Sequence, residues 1–221
     1  AGSGGNITAA STITGGGVLT VVDGAVQQYS GAISVDSLNI QDATTSVTLD
    51  GAVTTETTVA INSGGSLTQN ASVTAGSSVD YDAATIGINN TITSGTTTDI
   101  DATGVTTVAE AGDIISGGAV TFGANKSGTL TTAGEITTSD DNVTFTNAMT
   151  LSGNVEIDTG SGAGNILFSS SLATGDKNLT LDAGSGGNIT AASTITGGGV
   201  LTVIDGAVQQ YSGAISVDSL N

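Results

Sequence analysis

Four carboxylates set the first chemical question. Asp80 and Asp82 flank Tyr81, and nineteen residues further on Asp99 and Asp101 flank Ile100. In a fold that repeats at that interval, Asp80 would lie beside Asp99 and Asp82 beside Asp101, all facing outward. Four carboxylates on neighbouring strands, about 5–7 Å apart, suit a hard cation with oxygen ligands, and Ca²⁺ is the natural candidate. The plain alternative is a solvated acidic face whose charges are screened by salt. A second column, Asp158, Asp182 and Asp205, has each Asp ending an alternating run before a small residue. There an Asp that bonds its own backbone two residues on is the simpler reading, with a calcium ladder as the alternative. The glycine-rich nonapeptide of calcium-binding β-rolls is absent.

Other reactive chemistry is scarce. The chain has 20 acids against two Lys (Lys126 and Lys177) and no His, Cys or Arg. Only paired carboxylates or Lys could then do acid–base work. A glycosidase-type pair would also need aromatic and basic groups to hold sugar, so no enzyme is expected. The net charge of −18 excludes nucleic acid as a partner by its sign. No apolar run approaches the ~18–20 residues of a membrane helix, so no membrane insertion is expected.

Phe122, Phe145 and Phe168 fall 23 residues apart. They read as a stack in a core, with a sugar-binding strip as the alternative. Tyr29 and Tyr211 read as surface contacts, whereas Tyr81 follows the inward pattern. Asn6, Asn165 and Asn188, each after Gly and before Ile, read as turn positions or as a stacked Asn ladder.

The elements that must position these residues follow from the repeats. Ala1–Asn39 recurs as Ala183–Asn221 with one change, Val22 to Ile204, an offset of 182 residues. The chain therefore reads as one 182-residue unit (1–182) and the start of the next (183–221), continuous and without a linker, in a window from a longer tandem array. Shorter periods run inside it. Ile13, Ile33, Val53, Val73 and Ile92 step by 20, 20, 20 and 19; Val155, Leu179 and Leu201 step by 24 and 22. Between such positions lie two or three short runs of apolar–polar alternation, the mark of strands, separated by Gly, Asn, Asp and Ser, the mark of turns. The interval from Ile100 to Ile115 is the least regular.

Three short strands every ~20 residues, in register, predict an all-β fold: a parallel β-solenoid of about nine rungs per unit, right-handed as parallel β crossovers are. Nine rungs at ~4.8 Å give about 43 Å per unit. Its charge of −16 (18 acids and two Lys in residues 1–182) is then roughly one per 2.7 Å of axis, near the density of duplex DNA, about one per 1.7 Å. The absence of Pro fits strands paired on both sides, because Pro cannot donate to a ladder. The near absence of Lys and Arg fits a sheet with few edges to blunt. One rung alone is unstable. It buries about five aliphatic side chains at about 1.5–3 kcal/mol each and orders about twenty residues at about 1–2 kcal/mol each, so stability comes from stacking.

The segment GSGAGNILFSSSLATGDKNLTLDAGSGGNITAASTI, with its phrase GNI-x3-S-x-L-x-x-G-x3-L-T-L, resembles the repeats of filamentous-haemagglutinin-like proteins and other giant bacterial adhesins over residues 155–204. The resemblance implies a right-handed β-helix, export to the bacterial cell surface, and a role as surface fibre or adhesin shaft, and it brings no catalytic residues. The expected function is therefore structural: the rigid extracellular shaft of such a fibre. Its partners would be adjacent units of the same or an identical chain and a host or neighbouring cell surface. A binding module for glycans or cells is the alternative, and a Ca²⁺-bridged sheath is the second.

Overall fold

Aliphatic residues alternating with Thr and Ser form strands because β-branched side chains suit a pleated, half-buried surface. The computed structural model describes residue 2 and residues 4–221; Ala1 and Ser3, members of the first copy of the repeat, lie outside the described residues. Among the described residues the regular elements are all strands, and their pairings are parallel, in a 17-stranded and an 11-stranded sheet. The larger sheet bends round a corner, so each coil has three faces, visited in a fixed order. Four long strands, Val18–Tyr29, Ser37–Leu49, Val59–Gln69 and Val79–Ile88, cover the first and second faces without interruption. From Thr98 onward each coil divides that span, first as Thr98–Ala102 and Val105–Val108. The first face ends with Ile166–Phe168, Asn188–Ala191 and Val208–Tyr211. The second begins at Ile7–Ala9 and ends with Leu172–Gly175, Ile195–Gly197 and Ile215–Ser216. The third face is the 11-stranded sheet, from Ile13–Thr14 to Ser219–Leu220. The molecule is a parallel β-solenoid of eleven coils, about 20 residues apart.

The inward positions form continuous columns. On the third face Ile13, Ile33, Val53, Val73, Ile92, Ile114, Ile136, Ile157, Leu181 and Val203 are register partners in succession. On the first face Ile61, Tyr81, Ile100, Phe122, Phe145 and Phe168 do the same. The two beats of the sequence, near 20 and near 23, are therefore one column whose corners lengthen. The irregular stretch after Ile100 holds Val105–Val108 on the second face and Ile114–Ser116 on the third.

The corners are built from residues that tolerate unusual backbone or close approach. Asp23 and Asp42, at the bend of the first two long strands, adopt left-handed conformations (φ 60° and 55°), which a short polar side chain bears better than most. At the corner after the third face, Gly76, Gly95 and Gly117 stack. A Cβ on Gly95 would lie 2.1 Å from the Gly76 carbonyl oxygen, and one on Gly117 2.2 Å from that of Gly95. Backbone meets backbone there, so neither partner can yield cheaply.

Gly95→Ala is accordingly expected to destabilise the chain by about 1–3 kcal/mol, as overpacking does. Gly15→Ala, whose Cβ would meet nothing within 4 Å, should change little. Urea denaturation of both variants checks this, and equal midpoints for the two would refute the close-stacking account.

Candidate functional site

The strands that carry the four acids pair because their inward residues match. Val79, Tyr81 and Ala83 lie over Thr98, Ile100 and Ala102, all buried. That register sets Asp80 beside Asp99 and Asp82 beside Asp101. The four side chains meet different fates. Asp80 reaches solvent and Asp99 is half-buried. Asp82 forms an ion pair with Lys126, the one ion pair among the described residues. Asp101 does not face open solvent as its place in the alternation predicts. It is 4 % exposed, because the loop from Gly123 to Gly128 folds over it. The Asn125 backbone N–H donates to both carboxylate oxygens at 3.1 and 3.3 Å, and Asn125 Nδ2 donates to Oδ2 at 2.7 Å.

Asp82 and Asp101 are thus engaged, and burial governs the other two. Burial lifts Asp99 to about 6, and the charges of Asp101 and Asp80 add to the rise against a hydrogen bond from the Ile100 backbone. Asp99 Oδ1 has no hydrogen-bond donor. Asp80 is raised as well: enough neighbouring strand crowds it that loss of water, then the Asp101 charge, disfavours its ionised form. Among the described residues no group of three or more acidic side chains is placed to hold a metal ion. Asp80 and Asp82 instead line one end of a polar groove of about 260 Å³ on the first face, with Asn39, Gln41, Asp42 and Asn62. Its amides and carboxylates can take hydroxyl groups or a loosely held cation.

Comparison with protein-family models, with curated proteins and with solved structures finds no match. The site therefore has to be understood from its own geometry.

The other singled-out residues serve the coil. Asp158, Asp182 and Asp205 are register partners. Asp158 Oδ1 accepts from Gly160 N–H at 2.7 Å and Asp182 Oδ1 from Gly184 N–H at 3.0 Å, while Asp205 Oδ1 accepts from Gly206 N–H at 2.8 Å. Asp158 and Asp182 each close their own turn two residues on, while Asp205 bonds only the adjacent residue. Asn165 Nδ2 donates to Asn142 Oδ1 at 2.7 Å, and Asn188 Nδ2 to Asn165 Oδ1 at 2.9 Å, a ladder of stacked amides; Asn6 is the equivalent of Asn188 in the first copy. Phe122, Phe145 and Phe168 are buried and stack face to face, with centroids 5.5 and 4.9 Å apart and rings within 9° of parallel. Tyr29 is not a surface contact. It is buried, donates to Gln27 Oε1 at 2.8 Å, and its hydroxyl is pushed up to about 12 by burial.

Sequence reasoning missed the buried glutamines. Gln69 lies in an apolar column between Leu49 and Ile88. It accepts from the Tyr81 hydroxyl at 3.2 Å and donates to the Asn90 and Ala71 carbonyls at 2.9 and 3.1 Å. The signal was Tyr81 itself, since a buried phenol needs a partner.

Asp99 generates a pH prediction. Its folded pKa of about 6 lies above the ordinary value of 3.8, so between those values the folded chain holds a proton that the unfolded chain has lost. Stability is then greatest below about pH 4 as far as this group is concerned, and falls as pH rises through 6. Asp99→Asn should flatten that fall and raise stability at pH 7 by about 1 kcal/mol, allowing for the solvent on the open side of the group. Thermal melts at pH 4, 5, 6 and 7 test it; parallel profiles for the two proteins would be the contrary result.

Proposed function

We propose that the chain is a length of shaft: a stiff, acidic, extracellular β-solenoid in a tandem array of 182-residue units, part of a bacterial surface fibre or giant adhesin. The observation that carries this reading is the ladder that continues across the unit boundary, with one bulge between Leu181 and Asp182. Leu179–Asp182 pairs with Val155–Asp158 on one side and with Val200–Asp205, inside the second copy, on the other. Ala183, the first residue of that copy, donates its N–H to the Asp205 carbonyl at 3.1 Å. A unit that hands its hydrogen bonds to the next transmits force and bending through backbone rather than through a hinge. The aromatic residues add support. Tyr29, Tyr81, Phe122, Phe145 and Phe168 are buried and Tyr211 is half-buried, which leaves no aromatic platform outside for a sugar ring to stack on. On this reading the partners are adjacent units, and any adhesive tip is a separate part of the fibre.

Removal of one unit from the array is expected to shorten the fibre by about 42 Å, just under nine coils at ~4.8 Å, visible by electron microscopy, with cell binding unchanged. The isolated chain should be silent on a glycan array. Reproducible glycan binding that Asn62→Ala abolishes would instead make the groove on the first face a binding module.

The crowding of Asp80 and Asp99 beside Asp101 favours a second reading, in which Ca²⁺ bridges acidic rods side by side into a sheath. A divalent cation near the pair would offset the neighbouring negative charge that adds to burial in raising both carboxyls. A chelator such as EGTA should then disperse bundles and excess Ca²⁺ restore them, and Asp80→Asn/Asp99→Asn rods should not bundle. Bundles that survive the chelator count against bridging.

A further inference from the structure

The two copies of the 39-residue segment are the same sequence on different faces. Ile7–Ala9 lies on the second face, paired with residues 27–29. Its copy, in strand Asn188–Ala191, pairs with Ile166–Phe168 on the first. Ile13–Thr14 pairs with the strand Ile33–Val35 on the third face; its copy Ile195–Gly197 pairs with Leu172–Gly175 on the second. The start of Val18–Tyr29 pairs with the start of Ser37–Leu49 on the first face; its copy Val200–Asp205 pairs with Leu179–Asp182 on the third. Each element has moved back by one face.

The cause is a count. From Ile7 to the strand before Asn188 the chain forms 22 strands, and four of these cover two faces each, which makes 26 sides in 182 residues. At three sides per coil, 26 sides are eight coils and two sides. The unit falls one side short of nine coils, so the next unit starts one face behind. What lets one sequence do this is the near equivalence of the sides, seven residues each on average (182 over 26). The inward set is kept while the face changes: Ile189, Ile195 and Leu201 are buried, and their equivalents Ile7, Ile13 and Leu19 also point inward at the first coil. The corners adapt instead. The sequence VLTVVDGAVQQY is one strand across the first corner, and its copy is broken into Val200–Asp205 and Val208–Tyr211.

We propose that in the array each unit is turned by one face, a third of a coil, relative to the unit before it. Every outward feature is then presented on all three sides of the rod in rotation. This rests on the shaft reading. Three units, 546 residues at 182 each, return to the starting face after 26 coils, about 125 Å of axis. The polar groove of the first unit would face one way, that of the second another, that of the third the last. Such a shaft has no preferred side. A second copy of this chain, or a surface, meets the same chemistry whichever face it approaches, and rods can associate in three directions rather than as a one-sided ribbon.

The 221-residue chain tests the offset directly, because it has no cysteine and takes spin labels only where they are introduced. Leu167 and Thr190 are register partners on the first face, whereas Ala173 lies on the second, beneath Thr196. Labels on Leu167→Cys with Thr190→Cys should show strong dipolar broadening, and labels on Ala173→Cys with Thr190→Cys should not. The reverse pattern, which follows if residues 189–191 keep the face of residues 7–9, overturns the proposal. A concatemer of three units tests the display: cryo-EM should show a continuous rod turned by a third of a revolution every ~42 Å. A rod without that turn overturns the proposal but leaves the shaft standing. Separate beads overturn both, whatever the spin labels report.

Discussion

The parallel ladder makes like stack on like. Each coil hydrogen-bonds to the coils on either side at ~4.8 Å, so whatever residue stands at a position has a near copy of its own surroundings above and below. That rule rewards some side chains and penalises others. Aliphatics stack into dry columns, amides into ladders such as Asn142–Asn165–Asn188, and phenyl rings face to face. Carboxylates gain nothing from a like neighbour: burial raises Asp80 and Asp99, and the nearby charge of Asp101 raises both further. Where acids do stack at corners, as at Asp158 and Asp182, each spends its charge on its own turn's N–H.

This explains what could be read from sequence and what could not. The columns were legible because inward positions recur within a residue or two of a fixed step, and each of Ile13, Ile33, Val53, Val73 and Ile92 lies where its spacing puts it. The pairing of Asp80 with Asp99 was legible for the same reason. The state of Asp101 was not. What covers it is a corner loop that departs from the period, bringing Asn125 across from 24 residues away. The same loop delivers Lys126 to Asp82. Periodicity reports strands; it is silent about insertions at corners, and the chemistry of this acidic patch is decided by one. Tyr29 was misread for a related reason. Its inward partners are Leu49 and Ala9 on the second face, and its strand, Val18–Tyr29, runs past a corner that the alternation alone does not mark.

Several polar groups inside the coil are closed on one another, though Gln27 Nε2 and Thr55 Oγ1 are buried without a partner. Gln69 is fully buried but reaches two carbonyls and a phenol. Ser94 joins Thr98 at 2.8 Å and Ser116 at 2.9 Å in a hydroxyl cluster at the corner between the third and first faces. An unpaired buried donor costs about 1–3 kcal/mol, and for Gln69 and Ser94 a neighbouring coil supplies the partner. They also break the sameness of the columns. A Leu column could slide by one coil at little cost, whereas a Gln that must meet Tyr81 could not. The few buried polar residues thereby fix which coil lies on which.

The single difference between the two copies lies where the stacking rule is weakest. Val22 and Ile204 are 52 % and 59 % exposed, on outward positions at the ends of the alternating runs before Asp23 and Asp205. There an added methylene meets water. One step inward, at Val21 or Val203, it would press on the coils above and below, and overpacking a stacked column costs about 1–3 kcal/mol. The inward pattern must satisfy two faces in turn as well, since the same residues line the second face in one copy and the first in the other. A sequence under that double demand has little room to vary inside and more outside. It is bound by the geometry of the coil, not by any one site on it.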